Sequence, residues 1–224
     1  MKMRPRPAFT GIWVVPAGLV GLASSAVFSS ILRLERGPFV LAHTLTVGAF
    51  WWMLSRRTTL RLSAAFRHRP VASALAGLAV GLLLVMSVLR LPGGPTPRGL
   101  ALAGALGWHG IVYGAVDALL LTILPVLAVR GGREAGTGEG GKRRGAGLAL
   151  AGLAASLLVT ALYHVGFDEF RGMSLIHPLV GNAAITAGYL VTRNPVTPVL
   201  SHSLMHVAAV LHGMEAASQL PPHY

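Results

Sequence analysis

The sequence contains no cysteine and only seven acidic residues among its 224. Without thiols, the chain forms no disulfide, iron–sulfur cluster, cysteine-ligated zinc site or thiol nucleophile. Charged residues make up 12% of the chain, whereas soluble domains carry about 25%. Because so few charges cannot cover the surface of a soluble domain, most of the chain is expected to face lipid.

Long apolar runs make up much of the sequence, and 53% of the residues are apolar. A helix needs about 20 apolar residues to cross the hydrocarbon core. Since lone strands leave their backbone unpaired in lipid and alternating barrel strands are absent, each run is predicted to be a helix. The predicted fold is an all-α polytopic transmembrane helix bundle of about seven spans. The seven runs are 9–32, 38–54, 71–91, 100–129, 146–165, 175–191 and 198–217.

The basic residues predict the orientation of the bundle. A cytoplasmic N-terminus places 14 of the 19 Lys and Arg residues on the inside, as the positive-inside rule requires. We therefore expect an integral protein of the bacterial inner membrane with its N-terminus in the cytoplasm. The residues left outside are Arg33, Arg36, Arg90, Arg98 and Arg171.

The same distribution bears on partners and on processing. Because the basic residues lie between apolar blocks rather than on one soluble face, we expect lipid and membrane proteins or peptides as partners, and no nucleic acid. The first apolar run exceeds the 7–15 residues of a signal peptide, so we expect it to be a retained span.

Two polar segments separate the apolar runs most strongly. Residues 91–97 include three prolines, which cannot continue a helix. Residues 131–145 are rich in glycine and charge and are expected to be disordered. We expect an N-terminal part with helices 1–3 (1–98) and a four-helix core that carries the functional site (99–217).

Asp117 is the only acidic residue near the middle of a predicted span. A carboxylate at that depth must be neutral, paired or bound to metal, and so it indicates function. Helical spacing places His109 and Tyr113 on the same face, because residues four apart are neighbours. These two are interpreted as a polar seam between helices.

Three histidines are the other candidates for the site. His202 and His206 are four apart on the last span, a spacing that suits two metal ligands or two catalytic groups. Ser203 stands where the zinc-protease motif H-E-x-x-H has its glutamate. His164 ends the fifth span. The remaining histidines are interpreted as structural: His43, His68, His212 and His223, with His177 at the start of the sixth helix.

The order of these features resembles the CPBP family of intramembrane glutamic endopeptidases, the CAAX-protease and bacteriocin-processing family. Its members carry E-E-x-x-x-R, F-x-x-x-H and H-x-x-x-N on successive helices. The most similar stretch, residues 188–206, reads GYLVTRNPVTPVLSHSLMH. The resemblance covers about residues 104–213. His202 matches the histidine of the third motif, His206 stands at its asparagine, His164 matches the second-motif histidine, and Asp117 matches the first glutamate.

Besides Asp117 and His206, three further positions depart from the family's motifs. Ala118 replaces the second glutamate, Thr122 the arginine and Thr160 the phenylalanine. The resemblance implies an intramembrane endopeptidase that cleaves a membrane-associated peptide or protein. Asp117 is then the general base, helped by His164, and His202 and His206 donate hydrogen bonds to the oxyanion.

Three alternatives remain open at this point. Asp117, His164, His202 and His206 offer one oxygen and three nitrogen ligands, a set suited to Zn²⁺, although the sequence implies no cofactor firmly. In the second alternative, the chain is a non-catalytic relative that binds a membrane partner or a bacteriocin-type peptide. A bis-histidine haem carrier is the weakest alternative.

Overall fold

A computed structural model describes residues 10–58, 62–131 and 139–214 of the chain. Within these ranges the regular structure is helical and contains no strand. Six helices are long and apolar enough to cross a membrane, and a shorter apolar helix follows them. The prediction of an all-α integral membrane bundle is therefore confirmed.

The helices follow the predicted order along the chain. A single turn, Leu62–Ala65, lies between the second and third, and two 3₁₀ turns, Asp168–Phe170 and Met173–Leu175, lie between the fifth and sixth. The principal helices are α1 (Gly11–Ile31), α2 (Arg36–Arg57), α3 (Pro70–Val88), α4 (Leu100–Arg130), α5 (Glu139–Val165), α6 (Ile176–Thr192) and α7 (Val196–Leu211).

Two predicted boundaries are wrong. Residues 139–145 were expected to be disordered, but α5 begins at Glu139, because a helix nucleated in the apolar run propagates beyond it. The last helix ends at Leu211 rather than 217, and Gly213 follows with a φ of 74°, a conformation that stops helices. Parts of several predictions lie outside the described residues: position 9 of the first span, positions 132–138 of the loop, 215–217 of the last span, His223 among the structural histidines, and Lys2, Arg4, Arg6, Arg61 and Arg133 of the charge asymmetry.

α4 is the central helix of the bundle. Of its most apolar window, 72% is buried, against 28–33% for the five other candidate spans. Two π-helical turns, Leu106–Val112 and Ala118–Ile123, flank a regular stretch at Tyr113–Asp117. Such turns are frequent at functional sites.

α7 lies inside the bundle against α3, α4 and α6. Its 16 residues span about 24 Å at 1.5 Å per residue, less than the hydrocarbon core of about 30 Å. The loop after α3 is not helical, as predicted. It packs on the C-terminal end of α7. There the Gly94 N–H donates to the His212 carbonyl at 3.1 Å, and the His212 ring donates to the Leu91 carbonyl at 2.7 Å.

The α4 and α7 backbones approach each other at Gly114. A Cβ atom at this position would lie 2.7 Å from both the N and the Cα of Ser203. Real Cβ contacts are essentially never that short, and backbone atoms cannot rotate away as a side chain can. Glycine at 114 therefore sets the distance between Asp117 on α4 and the histidines on α7.

We expect Gly114→Val to separate α4 from α7 and to lower the free energy of unfolding by about 1–3 kcal/mol, the usual cost of overpacking. Thermal unfolding of the purified protein in detergent measures the loss. Gly107→Val is the matched control, because a Cβ there meets no atom within 4 Å. Equal stability of the two variants would contradict this account of the interface.

Candidate functional site

Asp117 lies at the centre of the bundle, between the two π-helical turns of α4, and its side chain is 0% exposed. Its carboxylate faces two imidazoles. Oδ1 is 3.2 Å from Nε2 of His43 on α2, and Oδ2 is 3.3 Å from Nε2 of His206 on α7. Both imidazoles are fully buried, so the carboxylate meets nitrogen atoms rather than water.

His202 completes a cluster with Asp117 and His206. One ligand atom from each of the three residues lies within 4.8 Å of the other two. The imidazoles of His202 and His206 are stacked, with ring centroids 6.4 Å apart and planes 23° apart, as expected for positions one turn apart on α7. Three of the four predicted site residues therefore come together.

His164 lies beside this cluster rather than in it. Its Nδ1–H donates to the Thr160 carbonyl at 2.7 Å, one turn back on α5. A carbonyl only accepts, so the proton is on Nδ1, and Nε2 of a neutral ring carries the lone pair. With His202, it lines a cavity of about 10 Å³. That volume is close to what one water molecule requires.

Two buried tyrosines pack against the histidines of the site. The hydroxyls of Tyr113 and Tyr163 are 2.7 Å apart and hydrogen-bonded. The Tyr113 ring packs on His206 with a centroid distance of 4.5 Å. His109, predicted on the same face, does not reach the site. It is half-exposed and lines a surface cavity beside Trp108.

His43 is the site residue that sequence reasoning missed. It was interpreted as structural, yet its Nε2 contacts the Asp117 carboxylate. Its ring stacks on Phe39, one turn earlier on α2, with centroids 5.8 Å apart and planes 7° apart. The available signal was an ionisable residue one-third of the way into a predicted span, which is a functional hypothesis by default.

A second set of buried polar side chains links α4, α5 and α6 by hydrogen bonds next to the cluster. Thr122 donates to Oδ1 of Asn182 at 2.8 Å, and the Asn182 amide donates to Ser156 and Thr160 at 2.9 and 2.6 Å. Thr160 is the residue whose carbonyl holds His164. Two of the positions that depart from the CPBP motifs, Thr122 and Thr160, therefore share one hydrogen-bonding partner.

The arrangement suits a divalent metal ion. Two ligands of a tetrahedral ion with bonds of about 2.0–2.1 Å lie about 3.3 Å apart, which equals the separation of Asp117 and His206. Two histidines and one carboxylate form a common ligand set that leaves a coordination position for a water molecule or substrate. Full burial excludes the alternative of a solvated surface cluster.

We expect Asn182→Leu to lower the free energy of unfolding by about 1–3 kcal/mol, because it leaves buried hydroxyls without their amide partner. The double variant Thr122→Val/Asn182→Leu should lose less than the sum of the two single variants. Chemical unfolding of the four proteins in detergent measures the coupling. Strictly additive losses would show that the contact is energetically neutral.

Comparisons of the chain with protein-family models, curated proteins and solved structures find no match. The likeness to the CPBP family therefore rests on the residues of the three motifs alone.

Proposed function

We propose that the chain is an intramembrane hydrolase of the CPBP type whose centre, Asp117, His202 and His206, binds a divalent metal ion such as Zn²⁺. The observation that carries the proposal is the convergence of one carboxylate and two imidazoles, all buried, within ligand distance of one another. The proposed substrate is a membrane-associated peptide or protein.

The cost of burial supports a bound cation in this cluster. A carboxylate taken out of water is unfavourable by several kcal/mol unless an opposite charge and good hydrogen bonds compensate. The imidazoles of His43 and His206 face the two oxygens of the Asp117 carboxylate. Two neutral imidazoles and one carboxylate together form a ligand set with a charge of −1. The charge of a divalent cation more than neutralises it.

The residues around the cluster supply the remaining chemistry for hydrolysis. A divalent ion held by Asp117, His202 and His206 would supply Lewis-acid chemistry, which polarises a scissile carbonyl. His164 is the proposed general base: its Nε2 accepts a proton as the oxygen of a water molecule bonds to the carbonyl carbon. The same imidazole returns that proton to the amide nitrogen when the carbon–nitrogen bond breaks.

The surroundings of the site favour a substrate that enters from the membrane. A groove of about 720 Å³ lies between α3 and α6 and is lined by apolar side chains such as Leu83, Leu84 and Val180. His177 and Gly181 line both this groove and the small cavity beside His164. An apolar segment in the groove would therefore lie one side chain away from the proposed base.

A metal-free mechanism is the second candidate, and the direct contact of Asp117 with His206 at 3.3 Å favours it. In that mechanism the carboxylate is the base, as the resemblance to glutamic endopeptidases implies. A non-catalytic protein that captures a bacteriocin-type peptide would keep the groove and form no product. We place the protein in the bacterial inner membrane with its N-terminus in the cytoplasm, from the asymmetry of its basic residues.

We expect the purified protein to bind about one Zn²⁺ per chain, and the variants Asp117→Ala, His202→Ala and His206→Ala to weaken binding at least about tenfold. Even outer-shell partners of a metal contribute 10–100-fold to affinity, and these residues are ligands. Metal analysis and Zn²⁺ titration in detergent give the values. His109→Ala on α4 is the control, because His109 lies outside the site.

Cleavage of fluorescent transmembrane peptides in proteoliposomes separates the two mechanisms. We expect chelation, Asp117→Ala and His202→Ala to abolish cleavage, and His164→Asn to abolish it while Zn²⁺ affinity is retained. Full activity of metal-free protein would support the glutamic-type mechanism instead. Activity of both Asp117→Ala and His202→Ala would show that the site is elsewhere.

We expect Gly181→Trp to block the passage from the groove to the cavity and to lower cleavage at least about tenfold while leaving Zn²⁺ binding unchanged. A Cβ at 181 already lies 3.4 Å from Leu84, so an indole must extend into the passage. Val191→Trp is the control, on the same helix but 75% exposed to lipid. Equal rates for the two variants would mean that substrates enter by another route.

A further inference from the structure

Polar contacts run from α1 through His43 to the carboxylate of the site. The Ser24 hydroxyl oxygen lies 3.0 Å from the Gly21 carbonyl oxygen and 3.1 Å from Nδ1 of His43. On the other side of the ring, Nε2 is 3.2 Å from Oδ1 of Asp117. Ser24, His43 and Asp117 are all buried.

The directions of these contacts follow from the number of hydrogens available. A carboxylate oxygen only accepts, so Nε2 of His43 carries the hydrogen that faces Oδ1 of Asp117. Nδ1 of the neutral ring then carries the lone pair and accepts the hydrogen of the Ser24 hydroxyl.

We propose that Ser24 and His43 are positioning residues that orient Asp117 for metal binding, an inference that rests on the proposed function. His43 occupies Oδ1, so only Oδ2, the oxygen that faces His206, is left for the metal ion. Metal ligands are commonly held by a second layer of hydrogen bonds that fixes their orientation. Ser24 lies on α1 and His43 on α2. These two helices were predicted to lie outside the core that carries the site, but this proposal makes them necessary for a complete site.

The packing around His43 makes the orientation rigid. Its ring stacks on Phe39 and lies 5.2 Å from the ring of Tyr163. His43 itself is not a ligand in this geometry, since the described cluster of mutually close ligand atoms comprises Asp117, His202 and His206.

Zn²⁺ titration of the protein in detergent tests the proposal. We expect His43→Phe, which preserves the stacking but removes the bond, to weaken affinity by about 10–100-fold. Ser24→Ala should act in the same direction, and His43→Gln, whose amide still donates, should restore much of the affinity. Ser25→Ala is the matched control, because Ser25 is buried on α1 and, among the residues that the structure describes, bonds only to the Gly21 and Leu22 carbonyls.

Co²⁺ substitution adds a readout that general loss of packing would not change, because its absorption spectrum reports the coordination geometry. The spectrum should change in His43→Phe and stay unchanged in Ser25→Ala. Wild-type affinity and an unchanged spectrum in both His43→Phe and Ser24→Ala would overturn the positioning role.

Unfolding measurements in the absence of metal distinguish a failure of this inference from a failure of the proposed function. If the wild-type protein binds neither Zn²⁺ nor Co²⁺, the metal centre is wrong, and a double-mutant cycle of His43→Phe with Asp117→Asn in unfolding then decides the contact. Non-additive effects would retain His43 as the residue that orients Asp117. Additive effects would refute that as well.

Discussion

The burial of one carboxylate is the constraint on which the rest of the structure depends. Asp117 is fully enclosed at the middle of the most buried helix, where an unpaired charge is too costly to keep. The fold compensates by bringing imidazoles to both of its oxygens, one from α2 and one from α7. The glycine at 114 allows α7 to approach closely enough for this to happen.

Most of the fold could be predicted from the sequence because membranes allow few alternatives. Apolar runs of about 20 residues must be helices in lipid, and the six long helices follow the predicted runs. The convergence of Asp117, His202 and His206 was predictable for a related reason. Ionisable residues are rare in spans, and the spacing of four puts both histidines on one side of α7.

The remainder depends on tertiary contacts that no spacing encodes. His43 is alone on α2, with no second histidine one turn away to mark it, and its importance comes from α1 and α4. The π-helical turns of α4 leave no local signature in the sequence, and His109, which lies in the first of them, lines a surface cavity beside Trp108. His164 was expected in the cluster, but its ring is turned by the Thr160 carbonyl towards a separate cavity.

The order of the helices along the chain affects how the site is made during synthesis. His43 and Asp117 lie on α2 and α4, whereas His202 and His206 lie on α7 and are translated after both. Before α7 is made, the His43 imidazole is already available to Oδ1 of Asp117. The nascent bundle can therefore hold this acidic residue in the membrane with a histidine from α2, and metal loading has to wait until translation has delivered α7.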